Sequence, residues 1–308
     1  MNAVILGYGV VGKGIEILTN SLDDISIKYV YVRKEKENLP YFSNNEDMVV
    51  QDDIDIVFEC LNGLEPANTL IQKALKKGKH VISSNKAVVA TYLDTYLELE
   101  KEYGGSIQVE ACVAGGIPFI DALLKLKRLE PLQGYEGIFN GTSNYILDSM
   151  QKNNLDFEDV LKEAQNKGYA EKDPSNDIDG VDVYYKTKIS NSLAFNTPIV
   201  DIPYYAGIRT IKMLDIKFIK MNNKVIRHLS ISRQIDDKII SIIAPCCMDE
   251  NDFLANVPSN YNAQKILSHS FDTLGYYGQG AGQLPTAQAM VQNALDTLEN
   301  KERKIVYS

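Results

Sequence analysis

Over the first 110 positions, apolar residues come in short β-branched runs separated by stretches of helical spacing, and the two periods alternate. The runs MNAVILG, ISIKYVYVR, IDIVFEC, KHVISS and SIQVEAC predict strands. Between them fall a helix from Gly12, a helix through EPANTLIQKALKKG and another ending at Tyr103. Strands alternating with helices predict a parallel sheet covered on both faces. After Gly116 the order changes to helix (IPFIDALLKLK), strand (QGYEGIFNG), two helices (TSNYILDSMQKN and FEDVLKEAQNKG), an acidic loop, and a helix from about Val181 to Phe195. Short strands such as VIRHLSISRQ and KIISIIAP follow, so this part is expected to be an α+β domain with a mixed or antiparallel sheet. A last helix, from Pro285 to about Lys301, is opened by Pro285 and Thr286 and expected to return to the first domain. The predicted class is α/β: a Rossmann-type parallel-sheet domain over residues 1–110, an α+β domain over 111–284, and the returning helix in 285–308.

Composition narrows the function without changing this architecture. The 308 residues are 44% apolar and 24% charged, ordinary globular proportions that exclude disordered, collagen-like and disulfide-scaffold classes. A formal charge of −9 gives no field to draw the chain to nucleic acid or anionic lipid, so a small-molecule partner is expected. The four cysteines (Cys60, Cys112, Cys246, Cys247) lack CxxC spacing, which argues against a zinc ribbon and for reduced thiols in the cytoplasm. The start MNAVILGYGVVGKG has no basic leader region, and no apolar run approaches the roughly 20 residues that span a bilayer. Neither export nor a membrane partner is expected.

The strongest local signal is the GxGxxG at Gly7, Tyr8, Gly9, Val10, Val11 and Gly12, directly after an apolar strand and before a helix. In that context Gly7 permits the tight turn, Gly9 lets backbone approach a pyrophosphate, Gly12 allows close packing, and the helix start supplies N–H donors. The bland alternative is a glycine-rich turn without a ligand. An NAD site usually carries an acid at the end of the second strand, but here Arg33 and Lys34 stand there, which suits the 2′-phosphate of NADP. A solvated basic turn is the alternative.

Further signals sit at predicted strand ends. Ser83, Ser84, Asn85 and Lys86 end a strand where open α/β sheets bind ligands, with Lys86 expected towards the nicotinamide. The small-residue loop EACVAGGIP, residues 110–118, offers carbonyls for a cation or amides for an anion; its alternative is a close-packed crossover. Cys112 has no basic or histidine partner nearby in sequence, so a buried thiol is expected rather than a nucleophile, and His80, His228 and His269 lie in unremarkable contexts. In the acidic segment GYAEKDPSNDIDGVDVYYK, Asp182 and Lys186 are four apart and share a helix face, with Glu171 delivered by the preceding loop. In a cleft, such a lysine stabilises an alkoxide or relays its proton, while the acids hold an ammonium group or orient the lysine. Exposed, the same pair is a surface contact worth only about 0.2 to 0.5 kcal/mol.

Taken in order, GYGVVG, SSNKAVVA, EACVAGGIPFI, GIFNGTSNYIL, GYAEKDPSNDIDGVDVYYK and GYYGQGAGQLPTA make the sequence closely resemble the homoserine dehydrogenase family over nearly its whole length. The resemblance implies NAD- or NADP-dependent interconversion of L-homoserine and L-aspartate 4-semialdehyde, on the route to threonine, methionine and isoleucine. It implies that Lys186 is the catalytic lysine, that Lys86 lies beside substrate and nicotinamide, and that Glu171, Asp182, Tyr169 and Asp177 surround the substrate. It places cofactor contacts on residues 7–12, Lys86, Gly168 and Gly280, and a monovalent cation, usually sodium, on the backbone of Glu110, Val113, Gly115 and Ile117. A homodimer joined through the second domain is the family's usual assembly. The chain departs from the family at Arg33 and Lys34, at Arg227 and His228, and more broadly over 205–245. It also ends at Ser308, before the carboxyl-terminal regulatory domain many members carry, and has no aspartate kinase portion, so threonine feedback through such a domain is not expected. Two rivals are a dehydrogenase of another short amino alcohol and a catalytically silent dinucleotide sensor; the retained lysines and acids argue against the second.

Overall fold

The computed structural model describes residues 1–32 and 42–299, which form two compact units. The first unit takes Met1–Leu124 and the segment from Ala281; the second is Lys125–Gly280.

The first unit runs β1 (Asn2–Leu6), α1 (Val10–Thr19), β2 (Ser26–Tyr31), β3 (Phe42–Ser43), a helical turn at Glu46–Val50, β4 (Ile56–Glu59), α2 (Ala67–Leu75), β5 (His80–Ser83), α3 (Lys86–Tyr103), β6 (Ser106–Gln108), a turn at Glu110–Cys112, and α4 (Phe119–Leu126). The strands lie in the order β3-β2-β1-β4-β5-β6, all parallel. From Ala3 to Leu6, β1 is wholly buried, as a central parallel strand covered on both faces must be. The chain leaves β1 towards β2 and β3 and returns to β4 on the other side, and this reversal opens a crevice at the carboxyl ends of β1 and β4. β3 is too short for the apolar pattern to predict. α1 begins at Val10, so Gly12 lies inside its first turn rather than at its start.

The second unit runs β7 (Gly134–Ile138), α5 (Gly141–Asn153), α6 (Phe157–Asn166), a short helix α7 (Ser175–Ile178), α8 (Val181–Phe195), α9 (Met213–Met221), β8 (Lys224–Ile235), β9 (Lys238–Asp249), β10 (Asn262–Ser268) and β11 (Asp272–Gly278). Its sheet is antiparallel in the order β11-β10-β7-β8-β9. The two predicted short strands are a single hairpin of 12-residue strands. They are longer than expected because polar residues of β8, among them Arg227, His228, Ser230 and Ser232, are buried with partners, which hides the strand's period from a hydropathy reading. α9, β10 and β11 escaped the sequence reading, and the acidic loop contains α7. Ile146, Leu147, Met150, Phe157, Val160, Ile178, Ile208, Ile216 and Ile226 form the helical core here.

Chain closure returns α10 (Gln283–Leu298) to the first unit, where Ala287, Met290, Val291 and Ala294 pack with Ala3, Ile5, Ile56 and Phe58. It starts two residues before the predicted Pro285, because proline fits a first helical turn whose N–H groups have no intrahelical acceptor. Gly14 lets α1 approach it: a Cβ there would stand 2.8 Å from the Gln283 carbonyl and 2.9 Å from Ala287 Cβ.

Candidate active site

At the end of β1 the backbone turns with Gly7 at φ +94, a left-handed conformation that favours glycine. A side chain at Gly12 would meet the Gly7 carbonyl at 2.2 Å, so the turn closes only with glycine in both places. Gly9 differs: a Cβ there would touch nothing within 4 Å, and as the N-cap of α1 it puts no side chain on the first N–H groups. Open approach and uncapped donors together fit a pyrophosphate. Tyr8 donates to Glu16 and meets Phe42 edge-on at 4.8 Å, while Val10 is exposed and Val11 half-buried. Arg33 and Lys34, on which the NADP expectation rests, lie outside the described residues.

The half-buried Lys86 opens α3, whose N-cap is Asn85, with its side-chain oxygen 3.3 Å from the Val88 N–H. Cys112 is buried beneath this loop, its thiol donating to the Ser83 carbonyl, and burial together with Glu59 pushes its pKa up.

After β6, Glu110, Val113, Gly115 and Ile117 lie on one loop, with Ala114 and Gly115 consecutively left-handed at φ 60 and 55. The Glu110 carboxylate is buried and accepts the N–H groups of Ile120 (3.1 Å) and Asp121 (2.6 Å). Burial and the neighbouring Asp121 hold its pKa well above the usual range. A small cavity beside the loop is also lined by Asn293, whose buried side-chain oxygen has no hydrogen-bond partner. An orphaned oxygen, a buried carboxylate and a carbonyl-bearing loop fit a small cation.

In the second unit the charged cluster forms. Lys186 and Asp182 pair at 2.8 Å along α8 with side chains 9% and 6% exposed, so this is no surface contact. The Lys186 ammonium also donates to the Phe139 carbonyl at 2.6 Å. Asn140 joins the acids, its amide donating to Asp177 at 2.7 Å and Asp182 at 2.9 Å while its oxygen caps α5 through the Ser143 N–H at 2.7 Å. Burial and the nearby Asp182 raise the Asp177 pKa. His228, fully buried, lies 2.9 Å by Nε2 from the Ala206 carbonyl and 3.3 Å by Nδ1 from Ser143 Oγ, and burial pushes its pKa down to about 4. Hydrogen-bonded to a carbonyl, Nε2 carries the ring proton, and the neutral ring accepts at Nδ1.

The structure therefore brings Lys186, Asp182 and Asp177 together through Asn140, on which no sequence expectation fell, and it buries His228, whose sequence context is unremarkable. An asparagine right after a strand and before a helix was the legible signal, as a predicted N-cap. Glu171 sits apart on the exposed loop, its carbonyl accepting from Gln165. Tyr169 is exposed, stacks edge-on with Tyr145 at 5.0 Å and accepts at its carbonyl from Thr142; Gly168 turns there at φ +74. Gly280 packs on Asn262, where any Cβ would overlap the amide.

A parallel sheet with its glycine turn at the reversal point, together with a buried lysine among acids, defines the class: a nucleotide-dependent oxidoreductase. The family model described as "Homoserine dehydrogenase, NAD binding domain" matches residues 7–110, and that described as "Homoserine dehydrogenase" matches 118–295. Homoserine dehydrogenase of Neisseria gonorrhoeae is 34% identical over 96% of this chain and 72% of its own length, and that of Synechocystis 36% over 95% and 72%. A crystal structure of a homoserine dehydrogenase from Thiobacillus denitrificans superposes with a TM-score of 0.92 at 33% identity, covering 100% of this chain and 76% of the other. A hyperthermophilic archaeal homoserine dehydrogenase in complex with NADPH shares the fold, with a TM-score of 0.85 at 22% identity over 98% and 99% of the two chains. The chain belongs to the homoserine dehydrogenase family, NAD(P)-dependent oxidoreductases.

Proposed function

We propose that Lys186 manages the hydroxyl proton as L-homoserine and L-aspartate 4-semialdehyde are interconverted, with NADP the preferred nucleotide. The observation that carries this is the burial of Lys186 with two acceptors, Asp182 and the Phe139 carbonyl, which account for two of the ammonium's three hydrogens. The third is left to donate to a substrate oxygen. When bound, the nicotinamide supplies the hydride acceptor or donor. Asp182 and Asn140 hold the ammonium in place, and Asp177, Glu171 and Tyr169 serve the substrate's amino group and its surroundings. Lys86 adds a second cation towards the reacting carbon. Residues 7–12 carry the pyrophosphate, Gly168 and Gly280 provide backbone close to the cofactor, and Arg33 and Lys34 the 2′-phosphate.

A monovalent cation, sodium by family likeness, is proposed for the carbonyls of Glu110, Val113, Gly115 and Ile117, supported by the buried Glu110 side chain and the unpartnered Asn293 oxygen. A homodimer through the second unit's sheet is supported by exposed apolar side chains on its edge strands: Ile240 and Ile242 on β9, Leu274 and Tyr277 on β11. The proposed setting is cytoplasmic synthesis of threonine, methionine and isoleucine, with all four cysteines as free thiols. Among the described residues no helix is long and apolar enough to cross a membrane. Initial rates with homoserine and each nucleotide, with and without sodium or potassium, test these roles. Faster turnover with NADP and a cation response are expected; equal rates with both nucleotides and no response to either ion remove those two parts.

A further inference from the structure

One buried carboxylate takes no part in the chemistry above. Glu59, the last residue of β4, is 0% exposed, and among the described residues no cation pairs with it. One oxygen accepts the Leu61 N–H at 2.8 Å and lies 3.4 Å from the Asn85 amide; the other accepts the Ser83 hydroxyl at 2.6 Å. Ser83 Oγ in turn accepts the Asn85 N–H at 3.1 Å, and the Asn85 amide donates to the Gly63 carbonyl at 2.8 Å. One side chain thus ties the loop after β4 to the loop after β5, at the end of the sheet where the nucleotide crevice opens and where Asn85 caps the helix that Lys86 begins. Cys60, whose carbonyl is 2.9 Å from where a Gly7 Cβ would stand, follows Glu59 directly.

We propose that Glu59 is a positioning residue for nucleotide binding, its ionised carboxylate holding the loops after β4 and β5, and with them Lys86, in register with the glycine turn. Burying a carboxylate without a cation is costly and survives only through such hydrogen bonds. Burial pushes its pKa up to about 7, with the bonds from Ser83, Leu61 and Asn85 opposing. The titratable groups around it are Cys60 next in the chain, Cys112 from the turn after β6 and Tyr96 from α3, the thiols and phenol all raised by burial, with Lys86 and Glu110 acting on Cys112. Both thiols and the phenol stay neutral near pH 7. Protonation would remove acceptor capacity from the tie and loosen both loops.

This inference rests on the nucleotide site proposed above. The test measures NADPH and NADH dissociation constants by nucleotide fluorescence from pH 6 to 8 for the wild type, E59Q and E59A, with melting temperature as the folding check. The 2′-phosphate of NADPH titrates in the same range, so the wild-type response is read against E59Q. Wild-type binding is expected to weaken on acidification through about pH 7, E59Q to hold a constant affinity apart from the phosphate effect, and folded E59A to bind roughly ten-fold or more weakly at pH 8. An E59Q response identical to the wild type, or wild-type affinity in folded E59A, overturns the proposal. If E59A does not fold, the E59Q comparison decides. Wild-type protein that binds neither nucleotide overturns the underlying site as well, which separates that failure from this one.

Discussion

The turn from β1 into α1 and the turn from β7 into α5 both end a strand and open a helix, yet they prepare for ligands by opposite means. At the first, the N-cap is Gly9, which puts no side chain on the helix N–H groups, and a Cβ there would meet nothing within 4 Å. At the second, Asn140 fills the cap with its own oxygen and uses its amide to hold Asp177 and Asp182 beside Lys186. An anion site at a helix start requires the cap to be vacant, because the ligand takes the donors. A cluster of like charges requires it to be occupied by a neutral bifunctional group, because two carboxylates this close need shared donors to stay ionised.

The largest effect expected within this contrast is at Lys186. K186A should lose about 10² to 10⁴-fold in turnover with homoserine saturating, as for a general acid or base, with nucleotide affinity retained. Most of the turnover surviving would break the side-chain half of the comparison. Next comes the pH dependence of stability from His228. Its folded pKa of about 4 lies below the ordinary 6.5, so the unfolded chain binds more protons between these values. The stability this contributes is complete above pH 6.5 and lost as pH falls towards 4, by about 3 kcal/mol for a shift of this size. Denaturant midpoints measured against pH for wild type and H228Q should differ in slope over that window; parallel curves would mean the ring is charged inside the fold.

Smaller changes sharpen the backbone half. G12A, forced against the Gly7 carbonyl, should cost about 1–3 kcal/mol in stability, whereas G9A should melt like the wild type and bind nucleotide less well. A destabilised G9A with normal nucleotide affinity would reverse that assignment. The smallest effect is expected from N140S. Serine caps about as well as asparagine, so the start of α5 should keep its capping within about 0.5 kcal/mol. Loss of the amide bridge should still lower kcat by roughly ten-fold, about 1.4 kcal/mol, and shift its acid limb. An unchanged pH–rate profile would demote Asn140 to a cap alone.

What could be read from sequence follows how local each feature is. The parallel sheet was legible because its strands are β-branched runs buried on both faces, and residues 7–12 because glycine spacing alone sets that turn. α9, β10 and β11 were not, since their burial depends on what lies across the sheet, and β8 hides its period behind buried polar side chains. Asp182 and Lys186 were placed on one face by the helix repeat. Whether that face was wet or dry, worth a few tenths of a kcal/mol or the seat of the chemistry, was not written in the spacing.

The sequence by itself determined the alternating strands and helices, the glycine turn and the order of the six family segments, all set by interactions within a few residues. Only the tertiary structure decided that Lys186 is dry, that Asn140 bridges two acids, that His228 is held neutral and that Glu59 joins two loops. The reason is physical: desolvation and hydrogen-bond pairing of a buried group depend on atoms brought from distant parts of the chain, 47 positions away for the carbonyl that receives Lys186 and 26 for the amide beside Glu59.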